Sequence, residues 1–139
     1  MAVTANSIIT PQTPRAAAVN LPSGATNATY TTSPANTVLL ATAGANGGRL
    51  TKLQAIPCAT VGTQNQVQMF RDGGTAGVSK YFADSAAMAT YTMAQSTEAP
   101  ITDFGYSDDN PLILQPNERV YVAQGQSVSI NVVAEWADY

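Results

Sequence analysis

The C-terminal segment of the chain alternates. Val128, Ile130, Val132, Ala134 and Trp136 share one parity, while Ser127, Ser129, Asn131 and Glu135 share the other, with Val133 the lone exception. A side-chain period of two marks a β-strand with one face in a core and one face out. An element of this kind needs a second layer to bury its apolar face. The other segments must supply that layer.

Those segments also read as strands. Residues 37–42, 49–59, 64–71, 78–82, 112–114 and 120–123 carry β-forming patterns, and 127–136 closes the domain. Gly44 to Gly48 reads as a hairpin connection, and a bend or bulge is expected at Pro57. Asp72-Gly73-Gly74 turns the chain, because glycine tolerates positive φ. Pro116-Asn117-Glu118-Arg119 is a turn with its second φ preset by proline. Residues 84–95 are mixed: Ser85 could cap a short helix, but Thr90, Tyr91 and Thr92 favour strand or irregular structure. Ile101 and Phe104 are expected to plug the core. Turns every 8–12 residues or so define an all-β fold, a single antiparallel β-sandwich, with a jelly roll the leading form.

The 139 residues suit one domain. Residues 1–35 read as an extended N-terminal arm and residues 36–139 as the sandwich body. Pro11, Pro14, Pro22 and Pro34 break helices and oppose regular sheet pairing. The apolar anchors of the arm are Val3, Ile8, Ile9, Val19, Leu21 and Tyr30. Ordering 35 residues costs on the order of 35–70 kcal/mol of backbone entropy. Burying six apolar side chains returns about 9–18 kcal/mol. The arm therefore needs backbone hydrogen bonds, along a neighbour or within its own sheet; otherwise part of it stays mobile. The second half could equally form the first strand of the body.

Charged residues make up 11% of the chain, against about 25% in ordinary soluble domains. A surface short of charge is cheap to desolvate, and interface centres are depleted in charge, so the composition favours a protein that lives in an assembly. The six basic residues are scattered and the net charge is −3, which argues against nucleic-acid binding. No apolar run reaches membrane-spanning length. The N-terminal residues lack the basic and apolar regions of a signal peptide, giving the expectation of synthesis in a cytoplasm.

No motif for chemistry stands out. The chain has no histidine, which removes the Ser-His-Asp and Cys-His arrangements and the commonest metal ligand. Neither a metal site, nor a cofactor site, nor catalytic residues are expected. Cys58, the one cysteine, sits among Ile56, Pro57 and Ala59 and reads as a buried, inert thiol. Asp108-Asp109-Asn110 lacks the spacing of a calcium loop and reads as a solvated turn. Asn27-Ala28-Thr29 matches a glycosylation pattern by chance. Trp136 belongs to the core by its parity. Tyr139 either docks on a partner or frays with the terminus.

The segments Leu112-Ile113-Leu114-Gln115-Pro116-Asn117-Glu118-Arg119-Val120-Tyr121-Val122 and Ile130-Asn131-Val132-Val133-Ala134-Glu135-Trp136-Ala137-Asp138-Tyr139 carry a resemblance. They resemble the ends of small virion proteins encoded among the head genes of tailed bacteriophages. Residues 49–57 fit the strand that opens the body in such proteins. The resemblance implies a capsid decoration, or cement, protein on the virion exterior. Its implied partners are the major capsid protein and copies of itself, a trimer among the arrangements expected. Ile8, Ile9, Val19, Leu21, Tyr30 and Tyr139 are the candidate partner contacts, with the arm clipping neighbouring subunits together. A tail, baseplate or head-fibre protein and a carbohydrate-binding jelly-roll module are the rival expectations, the latter using Tyr81 and Tyr121.

Overall fold

The computed structural model describes residues 10–11, 13–31, 33–74 and 79–139. Among them are nine strands and no helix: β1 (Thr13–Leu21), β2 (Val38–Thr42), β3 (Gly48–Pro57), β4 (Asn65–Arg71), β5 (Tyr81–Met88), β6 (Thr102–Asp103), β7 (Leu112–Leu114), β8 (Arg119–Gln124) and β9 (Ile130–Asp138). They form two antiparallel sheets. Sheet A runs β1-β9-β3-β6, with β7 also paired to β3; sheet B runs β2-β8-β4-β5.

The alternation in β9 does what its parity demands. Ile130, Val132, Ala134 and Trp136 are buried, and Asn131 and Glu135 are exposed. β1 holds the strand in register over its full length, and β3 pairs along it with one register shift. The buried side chains meet Val67 and Met69 of β4, Val120 and Val122 of β8 and Leu40 of β2 in one core shared by the two sheets. Trp136 joins that core, although its indole N–H has no partner among the described residues.

Residues 13–21 are part of the body. β1 pairs residue for residue with β9, so the middle of the expected arm supplies the outer strand of sheet A. Pro14 is tolerated because β1 is an edge strand, where alternate N–H groups point away from the sheet. Residues 22–31 and 33–36 then form a strap that is tied to sheet B before β2 begins. Ile8 and Ile9 lie outside the described residues.

Other expectations shift in detail. The irregularity in β3 falls between Leu50 and Lys52, not at Pro57, which ends the strand. Gly44 to Gly48 joins β2 of one sheet to β3 of the other, so it is a corner between layers and not a hairpin. Gly47 adopts φ +82° there, and a Cβ would stand 2.6 Å from the Leu114 carbonyl oxygen. Residues 84–88 of the ambiguous region continue strand β5 from Tyr81, and Tyr91 beyond it bridges to Val61. Phe104 packs on the core, but Ile101 is 56% exposed because Thr102, next in the chain, takes the inward position. Leu114 of β7 is buried and Ile113 is 50% exposed, as alternation along an edge strand requires. Cys58 is exposed, since the chain leaves the sheet at Pro57.

Candidate interaction surface

The two ends of the sandwich are built from different chemistry. Three of the four arginines converge on one end, where each meets a buried carboxylate. Arg71 at the end of β4 holds Glu118 of the β7–β8 turn through Nε at 3.1 Å and through Nη2, and the same Nη2 donates to the Ile113 carbonyl oxygen of sheet A. Arg119 donates to Asp72 through Nε at 2.6 Å and through its backbone N–H at 2.9 Å. Arg15 of β1 donates to Asp138 at 2.9 Å, and Asp138 also accepts the Gly44 N–H from the β2–β3 corner. Each pair ties a turn to a strand end, and the Arg71 pair ties the two sheets together.

Asp72 makes this end sensitive to acid. Burial pushes its carboxyl up. The N–H groups of Arg119 and Gly74 and the Arg119 guanidinium outweigh burial and hold it below the usual carboxylate range. A carboxyl lowered by folding contributes its full stability above the unfolded value of about 3.9, and that contribution is lost as pH falls through the folded value. Urea midpoints should therefore be steady from pH 7 to pH 5 and fall below about pH 4. The fall should be shallower in Asp72→Asn, which has nothing to protonate there. An identical acid slope in the variant would remove Asp72 from the account.

The opposite end is held by neutral amides. Asn65 Nδ2 donates to Gln124 Oε1 at 2.9 Å, and Gln124 Nε2 donates to the Pro22 carbonyl oxygen at 3.1 Å. The strap rests on the outer face of sheet B by the same chemistry. Asn27 Nδ2 donates to Gln68 Oε1 at 2.8 Å, and Gln68 Nε2 donates back to the Asn27 carbonyl oxygen. The Tyr30 hydroxyl donates to Gln66 Oε1. Asn27 is buried with its side-chain atoms engaged, which leaves no room for a glycan on the sequon. On the same face of β4 Phe70 is wholly buried although it points away from the main core, its ring against Phe82, which in turn meets Tyr30 of the strap.

Among the described residues, sheet A has no such cover. On its outer face Ala16, Ala18, Asn131 and Glu135 are exposed, and Lys52, Gln54, Ile56, Val133 and Ala137 are half-buried. Near the ionic end this face deepens into a groove of about 580 Å³ floored by Pro14, Ala16 and Ala137 and flanked by Arg15, Arg49, Asp108 and Glu135. Arg49 Nη2 donates to the Asp108 carbonyl oxygen, so the acidic triplet is an exposed bend against the groove wall. No group of three or more potential metal ligands occurs among the described residues.

The candidate contacts named from sequence do not converge. Leu21 is 1% exposed and Val19 packs on the same core, so both serve the chain's own fold before any partner. Tyr30 is 46% exposed at the strap, on the far side from the open face. Tyr139 lies at the ionic end, with its N–H held by the Gly47 carbonyl oxygen. Asp138 beside it is buried, so the terminus is anchored. Of the two tyrosines suited to stacking a sugar, Tyr121 has its ring capped by the Lys80 ammonium at 4.2 Å, and only Tyr81 is exposed. The open face of sheet A was missed as a surface. The parity of β9 pointed to it, because Glu135 and Val133 had to face away from the core. No family model, no curated protein and no solved structure matches the chain.

Proposed function

We propose that the chain is a non-enzymatic structural virion protein that decorates a bacteriophage capsid and stabilises it by binding major capsid protein subunits. The observation that carries this reading is the unequal treatment of the two sheets. The middle of sheet B's outer face is held by the chain's own strap, and among the described residues sheet A presents an open face of small and apolar residues mixed with amides and with the charged Arg49, Lys52, Asp103 and Glu135. Such a mixed face has the make-up of a protein interface taken as a whole, which is about as apolar as the rest of a protein surface. The strand orders β1-β9-β3-β6 and β2-β8-β4-β5 fit a jelly roll, an architecture that recurs in viral capsid domains. Fold alone would not license the role. The resemblance of the C-terminal segments to phage head proteins supplies the rest.

Mechanistically, a ligand that binds only the assembled shell makes that shell harder to disrupt. Any clip that reaches neighbouring subunits must come from residues before Thr13, because β1 is committed to β9. The test is co-sedimentation of the purified chain with phage heads lacking their decoration protein, alongside a variant without residues 2–9. The full chain should pellet with heads and raise the temperature at which they open. The truncated chain should fold normally and attach less tightly. A chain that stays in the supernatant at every ratio would refute the shell assignment. Labelled chain found on tails of intact particles would transfer the role to the tail. Equal attachment of both forms would remove the clip.

A further inference from the structure

We infer that the open face of sheet A docks against the same face of a second copy, about a two-fold axis running along the strands between β3 and β9. This rests on reading the face as an assembly surface and not on the phage assignment, and it gives that face to a second copy, leaving capsid contact to the residues before Thr13.

The face is self-complementary in shape. Register aligns Pro14 of β1, Ala137 of β9, Arg49 of β3 and Ile113 of β7 in one row across the sheet. At the β1 edge the outward residues are small: Pro14, Ala16 and Ala18, all exposed. At the opposite edge stands Ile113, half exposed, with Ile101 one residue before β6 exposed to a similar degree. Large apolar side chains therefore line one edge, and a shallow groove lined by Pro14, Ala16 and Ala137 lines the other. A two-fold axis between the two central strands exchanges these edges. Ile113 of each copy then enters the groove of the other. An axis parallel to the strands also leaves the two sheets nearly aligned, the commoner way for sheets to pack face to face.

The charges agree with the shape. Two of the face's charged side chains have internal partners: Arg49 reaches the Asp108 carbonyl oxygen, and Asp103 accepts from Gln54 and the Gly105 N–H. Lys52 and Glu135 form no ion pair among the described residues, and they stand directly opposite each other on β3 and β9. The same axis brings Lys52 of one copy over Glu135 of the other. Lys52 and Glu135 cancel each other, and a copy rotated about this axis sets each over its opposite.

The size of the face sets the strength. Four strands about 4.8 Å apart and some eight residues long at 3.3 Å each offer about 500 Å² per copy. A standard interface uses about 800 Å² per partner, so the pair belongs with weak, reversible contacts. In dilute solution the chain should be a monomer in equilibrium with a dimer. On a surface holding many copies, high local concentration would fill the contact.

Sedimentation velocity on the full chain, from about 10 μM to 1 mM, tests this directly. The sedimentation coefficient should rise with concentration. Lys52→Glu and Glu135→Lys should each weaken association at least tenfold, because like charges then face each other across the axis. The combined K52E/E135K variant should recover to within about threefold of the original. Ile113→Ser, which leaves the charges alone, should weaken association by about tenfold. Circular dichroism melts on each variant separate loss of association from loss of fold. A chain that remains monomeric at 1 mM, a charge swap no better than its single parents, or an Ile113→Ser variant that associates normally would overturn the proposal. A dimer that ignores phage heads would leave this inference standing and overturn the decoration reading.

Discussion

Glu118→Ala is expected to lower the unfolding free energy by about 3–5 kcal/mol, the range for breaking a buried ion pair by removing one partner. The Glu118 side chain has no solvent exposure, and Arg71 is only slightly exposed. Their carboxylate and guanidinium have been taken out of water, and each is satisfied almost wholly by the other. Removing the carboxylate leaves the guanidinium with the Ile113 carbonyl oxygen as its remaining partner. It also frees the Gln115 N–H that Glu118 Oε1 accepts at 3.0 Å. For a domain of this size the loss corresponds to a fall in Tm of roughly 10–20 °C. Arg71→Met alone should cost a similar amount, because it strands the carboxylate. The combined Arg71→Met, Glu118→Leu variant should recover most of the loss, since no charge then remains to desolvate. Urea unfolding of the parent, Glu118→Leu, Arg71→Met and the combined variant gives the cycle, with Glu118→Ala measured beside it. A loss below about 1 kcal/mol for Glu118→Ala would place the pair with exposed salt bridges.

The sequence made the strands readable and hid what joins them. β9 was legible because its core face is apolar and its open face is polar, so burial alone sets its parity. β4 was legible on the Val67 and Met69 face for the same reason. Its other face was not legible, because Gln66, Gln68 and Phe70 look like an exposed mixture, yet Gln68 and Phe70 are buried and the strap that bonds Gln66 and Gln68 lies about forty residues earlier. Amide pairing leaves no hydrophobic signature, so Asn27 and Gln68 gave no sign of meeting. The arginines looked scattered because their separations in sequence are large, whereas antiparallel strands of matched length return Arg15, Arg71 and Arg119 to one end. Cys58 was misjudged from its apolar neighbours, because local composition cannot reveal where a strand leaves its sheet. Within the expected arm Pro22 follows the end of β1, but Pro14 sits inside β1, where an edge strand tolerates one.

Phe70→Ala tests whether the strap belongs to the fold in solution. Phe70 is buried on the outer face of sheet B, away from the main core. Its ring meets Phe82 edge-on at 5.5 Å, and Phe82 in turn meets Tyr30 of the strap at 5.2 Å. Truncating a fully buried phenylalanine costs about 3–5 kcal/mol. That cost arises only if the site stays covered, because an exposed ring would lose little on truncation. Tyr30→Ala should cost about 1 kcal/mol, since the ring is partly exposed and contributes one aromatic contact and one hydrogen bond. In Phe70→Ala the strap loses the layer it rests on, so proteolytic cleavage within residues 22–36 should become faster than in the parent chain. A strap that swings free to reach a neighbour would give a different pattern. Phe70→Ala would then cost under about 1 kcal/mol, and cleavage in the strap would be rapid in both proteins. The first pattern assigns residues 13–36 to the body and restricts any reach toward other subunits to the residues before them.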